Sequence, residues 1–292
     1  MSEGIIIKAL SGFYYIVDGD NIITCKAKGK FRFNSLVPLV GDRVEYSLSP
    51  DGSGTVSRIL DRKNSFIRPA VANIDTMVFV ASMAKPETDP FLIDRVSILA
   101  EKNNCEFIVC INKCDLNDSD TLYNTYINTG YKCVKTSAET GEGIAELKAL
   151  LRGKISVLTG NSGVGKSSII NMLIPGADID TSEISEKLGR GKHTTRKIEF
   201  YTIDSSSFIA DTPGFASFEI EMVENIEYNE LQYYFPDFSP YTDKCRFADC
   251  MHINEPDCAV KDALSFGQIS RTRYDSYVKL FNIIKTNPNA QF

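Results

Sequence analysis

The sequence predicts a multidomain α/β protein: a small β-barrel, then a parallel α/β domain, then a module of closely spaced cysteines and a histidine joined to helices. Three observations predict it. Short β-branched and aromatic runs fill the first 60 positions. Apolar strand-like runs then alternate with helical periodicity around a glycine-rich loop at 160–167. Three cysteines and one of the two histidines crowd into positions 245–258.

Composition narrows the class. With 292 residues, 43% apolar and 24% charged, the chain is long enough for about two domains and is neither disordered nor fibrous. No apolar run approaches the roughly 18–20 residues of a membrane span. Met1-Ser2-Glu3-Gly4 lacks the basic and apolar regions of a signal peptide, so a cytoplasmic protein is expected. The net charge of −6 argues against a purely electrostatic nucleic-acid binder. Basic residues nevertheless outnumber acidic ones over 1–68, and the reverse holds over 216–292.

Ile5–Ile7, Phe13–Val17 and Ile22–Cys25 read as strands, with Asp18-Gly19-Asp20-Asn21 as a hairpin turn. Val44–Leu48 and Val56–Leu60 add two more, giving an OB-like barrel, or an SH3-like one on pattern alone. Arg62 to Pro69 reads as a linker. Next come a buried strand at 76–81, a helix at 90–102, a strand at 107–111, a helix near 119–129, a strand near 132–135 and a helix at 143–152. Ile155–Leu158 is a further apolar strand, and helical periodicity returns over roughly 262–286. Domain boundaries are expected at 1–68, 69–218 and 219–292.

Gly160-Asn161-Ser162-Gly163-Val164-Gly165-Lys166-Ser167 fits the P-loop pattern, and it lies between a strand and a helix opening at Ser168, the context the motif needs. Its glycines let backbone N–H groups wrap phosphate oxygens, with Lys166 reaching the β- and γ-phosphates and Ser167 a Mg²⁺ ion. Asn112-Lys113-Cys114-Asp115 ends the strand at 107–111. Asn-Lys-x-Asp is the guanine-reading signature: the Asp115 carboxylate accepts from two N–H groups that adenine lacks, which separates a GTPase from a P-loop ATPase or nucleotide kinase. Lys113 would lie over the base. Thr136-Ser137-Ala138 either supports the guanine from its far side or is a strand-end turn capped by Ser137. Asp211-Thr212-Pro213-Gly214 supplies a Mg²⁺-holding aspartate and, at Gly214, a γ-phosphate-sensing amide. Guanine recognition here precedes the P-loop, and Asp-x-x-Gly comes last, which is a circular permutation of the usual order.

Cys245-x4-Cys250-x-His252-x5-Cys258 has the composition of a closed structural Zn²⁺ site, with no position left for a catalytic water. The other five cysteines are scattered, mostly in apolar runs, and read as buried thiols.

On these motifs the whole chain resembles the RsgA (YjeQ/YloQ) family of circularly permuted, small-ribosomal-subunit-dependent GTPases. The resemblance implies an OB-like barrel, a circularly permuted P-loop GTPase domain and a zinc-binding module with helices. It implies GTP/GDP, Mg²⁺ and one Zn²⁺, action in late small-subunit maturation, slow turnover stimulated by that subunit, and rRNA binding. Phe215 follows Gly214, where a water-orienting Gln stands in Ras-like enzymes. The resemblance points instead to His193, in Gly189-Arg190-Gly191-Lys192-His193-Thr194-Thr195, as the catalytic group. It favours Thr195 over Thr194 for completing the Mg²⁺ shell, while Arg196 departs from the expected threonine. Lys26, Lys28, Lys30 and Arg32, interleaved with Phe31 and Phe33, form a candidate RNA face. Arg271, Arg273, Lys279 and Lys285 form a second. No surface feature asks for a dimer, a membrane or DNA, so a monomer is expected. The alternative function is a nucleotide-gated RNA-binding module in which hydrolysis is incidental.

Overall fold

The computed structural model describes residues 2–27, 37–67, 69–117, 119–179, 198–211 and 226–286. The first five strands, β1 (Ser2–Leu10), β2 (Phe13–Asp18), β3 (Asn21–Ala27), β4 (Arg43–Leu48) and β5 (Gly54–Ile59), close into a barrel of order β1-β2-β3-β5-β4. A register shift between Ile6 and Lys8 bends β1, which pairs with both β2 and β4. Ile6, Ile16, Cys25, Val44 and Val56 fill the interior. The expected strands are all present, each longer than its apolar run.

The expected linker is structured. β6 (Ser65–Phe66) pairs with β7 (Val71–Ala72), and Arg62 grips the buried Asp42 carboxylate through two nitrogens at 2.7 and 2.8 Å. Asn64 donates to the carbonyls of Ile74 and Asn103, and Asn73 donates to that of Gly41. These bonds fasten the barrel to the start of the main sheet.

That sheet has the order β10-β9-β8-β11-β13-β12. Its members are β8 (Thr76–Ser82), β9 (Glu106–Asn112), β10 (Lys132–Lys135), β11 (Ile155–Thr159), β12 (Tyr201–Asp204) and β13 (Ser207–Asp211). β8, β9, β10, β11 and β13 run parallel, and β12 is an antiparallel edge. Every residue of β8 and β11 is buried, which explains their largely apolar runs. Each buried Val or Phe contributes roughly 1.5–3 kcal/mol to holding the layers together. The helices are α1 (Pro90–Lys102), α2 (Asp120–Tyr126), α3 (Ile144–Leu150) and α4 (Lys166–Leu173). α1 starts where Asp89 accepts from the Phe91 amide and Pro90 takes the first helical position.

The C-terminal region begins with a 3-10 turn (Leu231–Tyr234), followed by α5 (Ser239–Thr242), α6 (Ala259–Ser265) and α7 (Arg271–Thr286). The helical periodicity expected over roughly 262–286 is carried by two helices. Gly267, at φ +70°, ends α6 in a Schellman motif: its amide donates to Leu264 O and that of Gln268 to Ala263 O. The second candidate RNA face also needs correction. Arg273 is fully buried and faces α1. Arg271 pairs with Asp275, and the Lys279 ammonium lies 3.7 Å from the Phe91 ring centroid.

Candidate functional site

The parallel strands deliver their C-terminal ends to one edge of the sheet, where open α/β folds bind ligands. β9 ends in Asn112 and β11 runs into Gly160, on either side of the end of β8; β13 ends in Asp211. The base-reading and phosphate-binding segments are thus neighbours in space although Gly160 lies 48 positions after Asn112 in the chain.

Asn112 joins them directly. Its Nδ2 donates to Val164 O at 2.8 Å, and its Oδ1 accepts from Thr136 Oγ1 at 3.2 Å and the Ala138 amide at 3.1 Å. One buried side chain therefore ties the P-loop, the Asn-Lys-x-Asp loop and the 136–138 loop together. Gly165, at φ +100°, makes room for it: a Cβ there would lie 2.3 Å from Asn112 Nδ2. Lys113 has φ +64°, and its ammonium donates to Lys85 O at 2.8 Å. Asn117 donates to Met83 O at 2.9 Å, so the loop after β8 supports the base-reading segment. The Asp115 side chain is exposed beside it. Ser137 is buried, and its Oγ accepts from the Thr140 amide at 3.1 Å, the capping contact of a turn.

In the P-loop, Asn161 is half-buried, Ser162 and Gly163 are exposed, and Val164 is buried. Lys166 is largely buried and donates to Gly160 O at 3.0 Å and Asn161 O at 2.8 Å. Burial lowers its pKa, while Asp211 acts in the opposite sense. Ser167 Oγ lies 3.4 Å from Asp211 Oδ2, and Ser168 continues α4. A hydroxyl and a carboxylate at this spacing are hard oxygen donors suited to Mg²⁺. His193, Thr194, Thr195 and Gly214, and of the first candidate RNA face Lys28, Lys30, Phe31, Arg32 and Phe33, lie outside the described residues. Lys26 is described, with its ammonium 4.9 Å from the Phe13 ring centroid.

The second constellation gathers all four sequence-named ligands. The donor atoms of Cys245, Cys250, His252 and Cys258 lie within 4.8 Å of one another. His252 Nδ1 is 3.6, 3.4 and 3.3 Å from the sulfurs of Cys245, Cys250 and Cys258, and the Cys245 and Cys258 sulfurs are 3.9 Å apart. Tetrahedral Zn²⁺ with ordinary bond lengths requires about 3.5 Å between nitrogen and sulfur and about 3.8 Å between sulfurs. The donor set therefore fits zinc in chemistry and in size. The ligand loop is held from α7: Tyr274 donates to His252 O at 2.7 Å and Tyr277 to Met251 O at 2.9 Å. The Glu255 carboxylate accepts from the amides of Met251, Ile253 and Asn254.

The family model described as RsgA GTPase matches residues 59–221, and that described as RsgA N-terminal domain matches residues 3–56. The chain is 45% identical over 293 residues to the small ribosomal subunit biogenesis GTPase RsgA of Caldanaerobacter subterraneus, covering 99% of this chain and 98% of that protein. The chain belongs to the RsgA GTPase family. It is accordingly a GTP-hydrolysing enzyme that uses Mg²⁺. The RsgA of Thermotoga maritima is 45% identical over 287 residues, covering 96% of this chain and 95% of that protein. Among solved structures, YjeQ from Thermotoga maritima matches with a TM-score of 0.83 at 41% identity, over 98% of this chain and 99% of that one. YloQ, titled a circularly permuted GTPase, matches with a TM-score of 0.80 at 36% identity, over 99% and 96%. The permuted order read from the motifs is thus the RsgA architecture.

Several groups at these two constellations escaped the sequence reading, Lys85 and Gln232 among them. Lys85 contributes only its carbonyl to Lys113, and a backbone atom leaves no residue-type signal. Gln232 faces His252 from outside the Cys/His motif, in a stretch without recognisable spacing.

Proposed function

We propose that the chain hydrolyses GTP to GDP and phosphate during late maturation of the small ribosomal subunit, with that subunit accelerating a slow intrinsic reaction. The observation that carries this is the Asn112 tie, which puts a guanine-reading loop against a P-loop in a chain whose relatives bear the name small ribosomal subunit biogenesis GTPase. Asp115 selects guanine and Lys113 covers it, with Ser137 and Ala138 on the far side. The amides of 160–168 and the Lys166 ammonium hold the phosphates, Lys166 exchanging its carbonyl partners for phosphate oxygens. Ser167, Asp211 and Thr195 hold Mg²⁺, which supplies charge neutralisation on the phosphates when bound. Gly214 senses the γ-phosphate, and His193 positions the attacking water when the subunit is bound.

The division at 1–68, 69–218 and 219–292 assigns rRNA contact to the barrel, the reaction to the middle segment and a structural Zn²⁺ on Cys245, Cys250, His252 and Cys258 to the last. We further propose a cytoplasmic monomer that uses rRNA and not DNA. Among the described residues no helix is long and apolar enough to cross a membrane.

The test is GTP turnover with and without purified small subunits, large subunits serving as control. Strong stimulation by the small subunit alone is expected, and His193→Ala keeps GTP affinity but loses that stimulation. Tight GTP binding without stimulation would overturn the subunit-dependent enzyme in favour of a nucleotide-gated RNA-binding module.

A further inference from the structure

Gln232 lies 13 residues before the first cysteine of the metal motif, in the 3-10 turn Leu231–Tyr234. Its Oε1 is nevertheless 2.8 Å from His252 Nε2. Both side chains are in the interior: His252 is 0% exposed and Gln232 8%. The direction of the amide follows from its other contact. Gln232 Nε2 donates to Asn229 O at 3.2 Å, which leaves the carbonyl end facing the imidazole. An acceptor opposite His252 Nε2 requires a proton there. In neutral imidazole the lone pair is then on Nδ1, the nitrogen 3.3–3.6 Å from the three sulfurs. The flipped amide would require the opposite tautomer, turning an N–H toward the thiolates where the metal must sit.

We propose that Gln232 is a positioning residue of the metal centre: it fixes the Nε2–H tautomer and the ring orientation of His252, so that Nδ1 is presented to Zn²⁺. This rests on the zinc assignment above. Metal-bound histidines commonly give their second N–H to a carbonyl or carboxylate, and losing that partner typically weakens metal binding 10–100-fold. What is particular here is where the partner comes from. The turn holding Gln232 leads to Asp237, which binds Arg273, so the acceptor is supplied by the connecting segment and not by the ligand loop. Binding the metal therefore also fastens residues 231–238 to that loop.

The experiment uses the full chain, loaded with Zn²⁺ and titrated with a chromophoric zinc chelator. Gln232→Leu is expected to hold Zn²⁺ 10–100-fold more weakly, while Gln232→Glu, which keeps the acceptor, holds it at least as tightly as the unmodified chain. With only two histidines in the sequence, ¹⁵N-histidine NMR reads the tautomer directly. His252 is expected to carry its proton on Nε2, with a metal-shifted Nδ1. Amides of 231–238 are expected to exchange faster in Zn²⁺-loaded Gln232→Leu than in the unmodified chain. A folded Gln232→Leu that binds Zn²⁺ within twofold of the unmodified chain would overturn the inference and leave the zinc assignment standing. A spectrum with the His252 proton on Nδ1 would overturn it too, and the spectrum decides the matter even if the leucine variant does not fold. An unmodified chain that binds no Zn²⁺ would overturn both.

Discussion

Asn112 shows how a single amide can organise a nucleotide site. Its three hydrogen bonds use one donor and its carbonyl oxygen, and they span segments at 112, 136–138 and 164. The contact depends on an absent side chain at Gly165, where φ +100° and a Cβ 2.3 Å from Asn112 Nδ2 both disfavour any other residue. Gly165→Ala therefore combines backbone strain of about 1–3 kcal/mol with a disturbed buried hydrogen bond of about 1–3 kcal/mol. GTP and GDP affinity should fall together by at least tenfold, read by titration with a fluorescent nucleotide; unchanged affinity would show that the tie does not shape the site. Asp115→Asn tests base reading. A hydrogen bond to a charged group is worth about 1.5–3 kcal/mol, so GTP should bind roughly 10–150-fold more weakly. Xanthine nucleotides should gain, because the new amide donor meets a carbonyl. If ATP competes equally with GTP on the unmodified chain, the guanine assignment is wrong.

At the scale of elements, α7 is joined to α1 by a buried ionic cluster. Arg273 Nη1 donates to Asp94 at 2.7 Å and Nη2 to Asp237 at 2.6 Å, and Tyr126 also donates to Asp94 at 2.7 Å. The guanidinium lies 4.5 Å from the Phe235 ring centroid. Burial works against its charge, but Asp94 and Asp237 hold its pKa well above even the ordinary arginine value. Such a cluster gains little over apolar packing, yet removing one member strands the others. Arg273→Met should lower stability by about 3–5 kcal/mol in a denaturant melt, and converting Asp94 and Asp237 to Leu as well should restore most of it. A single variant as stable as the parent would show that the cluster does not dock the helix. None of this was legible in the sequence, where Arg273 sits among other cations and its partner Asp94 is 179 residues away. The parallel strands were legible because burial on both faces leaves continuous apolar runs. β12 was not: it alternates half-buried and exposed residues at a sheet edge, too short for a periodic signal.

Across the whole molecule, the buried apolar side chains group differently from the expected boundaries. One cluster runs from the barrel residues Ile6, Ile16 and Val56 into Phe79, Val109 and Val157 of the main sheet without a break. Phe200 adds to it from the segment before β12, where its amide donates to Ile7 O at 2.8 Å and Glu199 pairs with Lys8 at 2.7 Å. A separate cluster holds Cys250, Cys258, Phe235, Phe238 and Tyr277 around the metal ligands, and among the described residues its apolar contact with α1 runs through Ile98 and Phe91. Barrel and sheet should therefore unfold as one cooperative unit, and the C-terminal cluster as another. The metal supplies much of the second unit's stability, because the loop from Cys245 to Cys258 has few apolar side chains of its own. Stripping Zn²⁺ with a nitrogen chelator, Mg²⁺ kept in excess, should lower the C-terminal melting transition by at least 10 °C and expose the tyrosines of α7. The transition of barrel and sheet, and the affinity for GDP, should stay within about 2 °C and twofold, because the described nucleotide-site residues lie in the main sheet, its loops and α4, not in the C-terminal cluster. Near-UV circular dichroism reports the first and a fluorescent nucleotide the second. One transition that moves as a whole on chelation would show instead that the metal stabilises the entire chain.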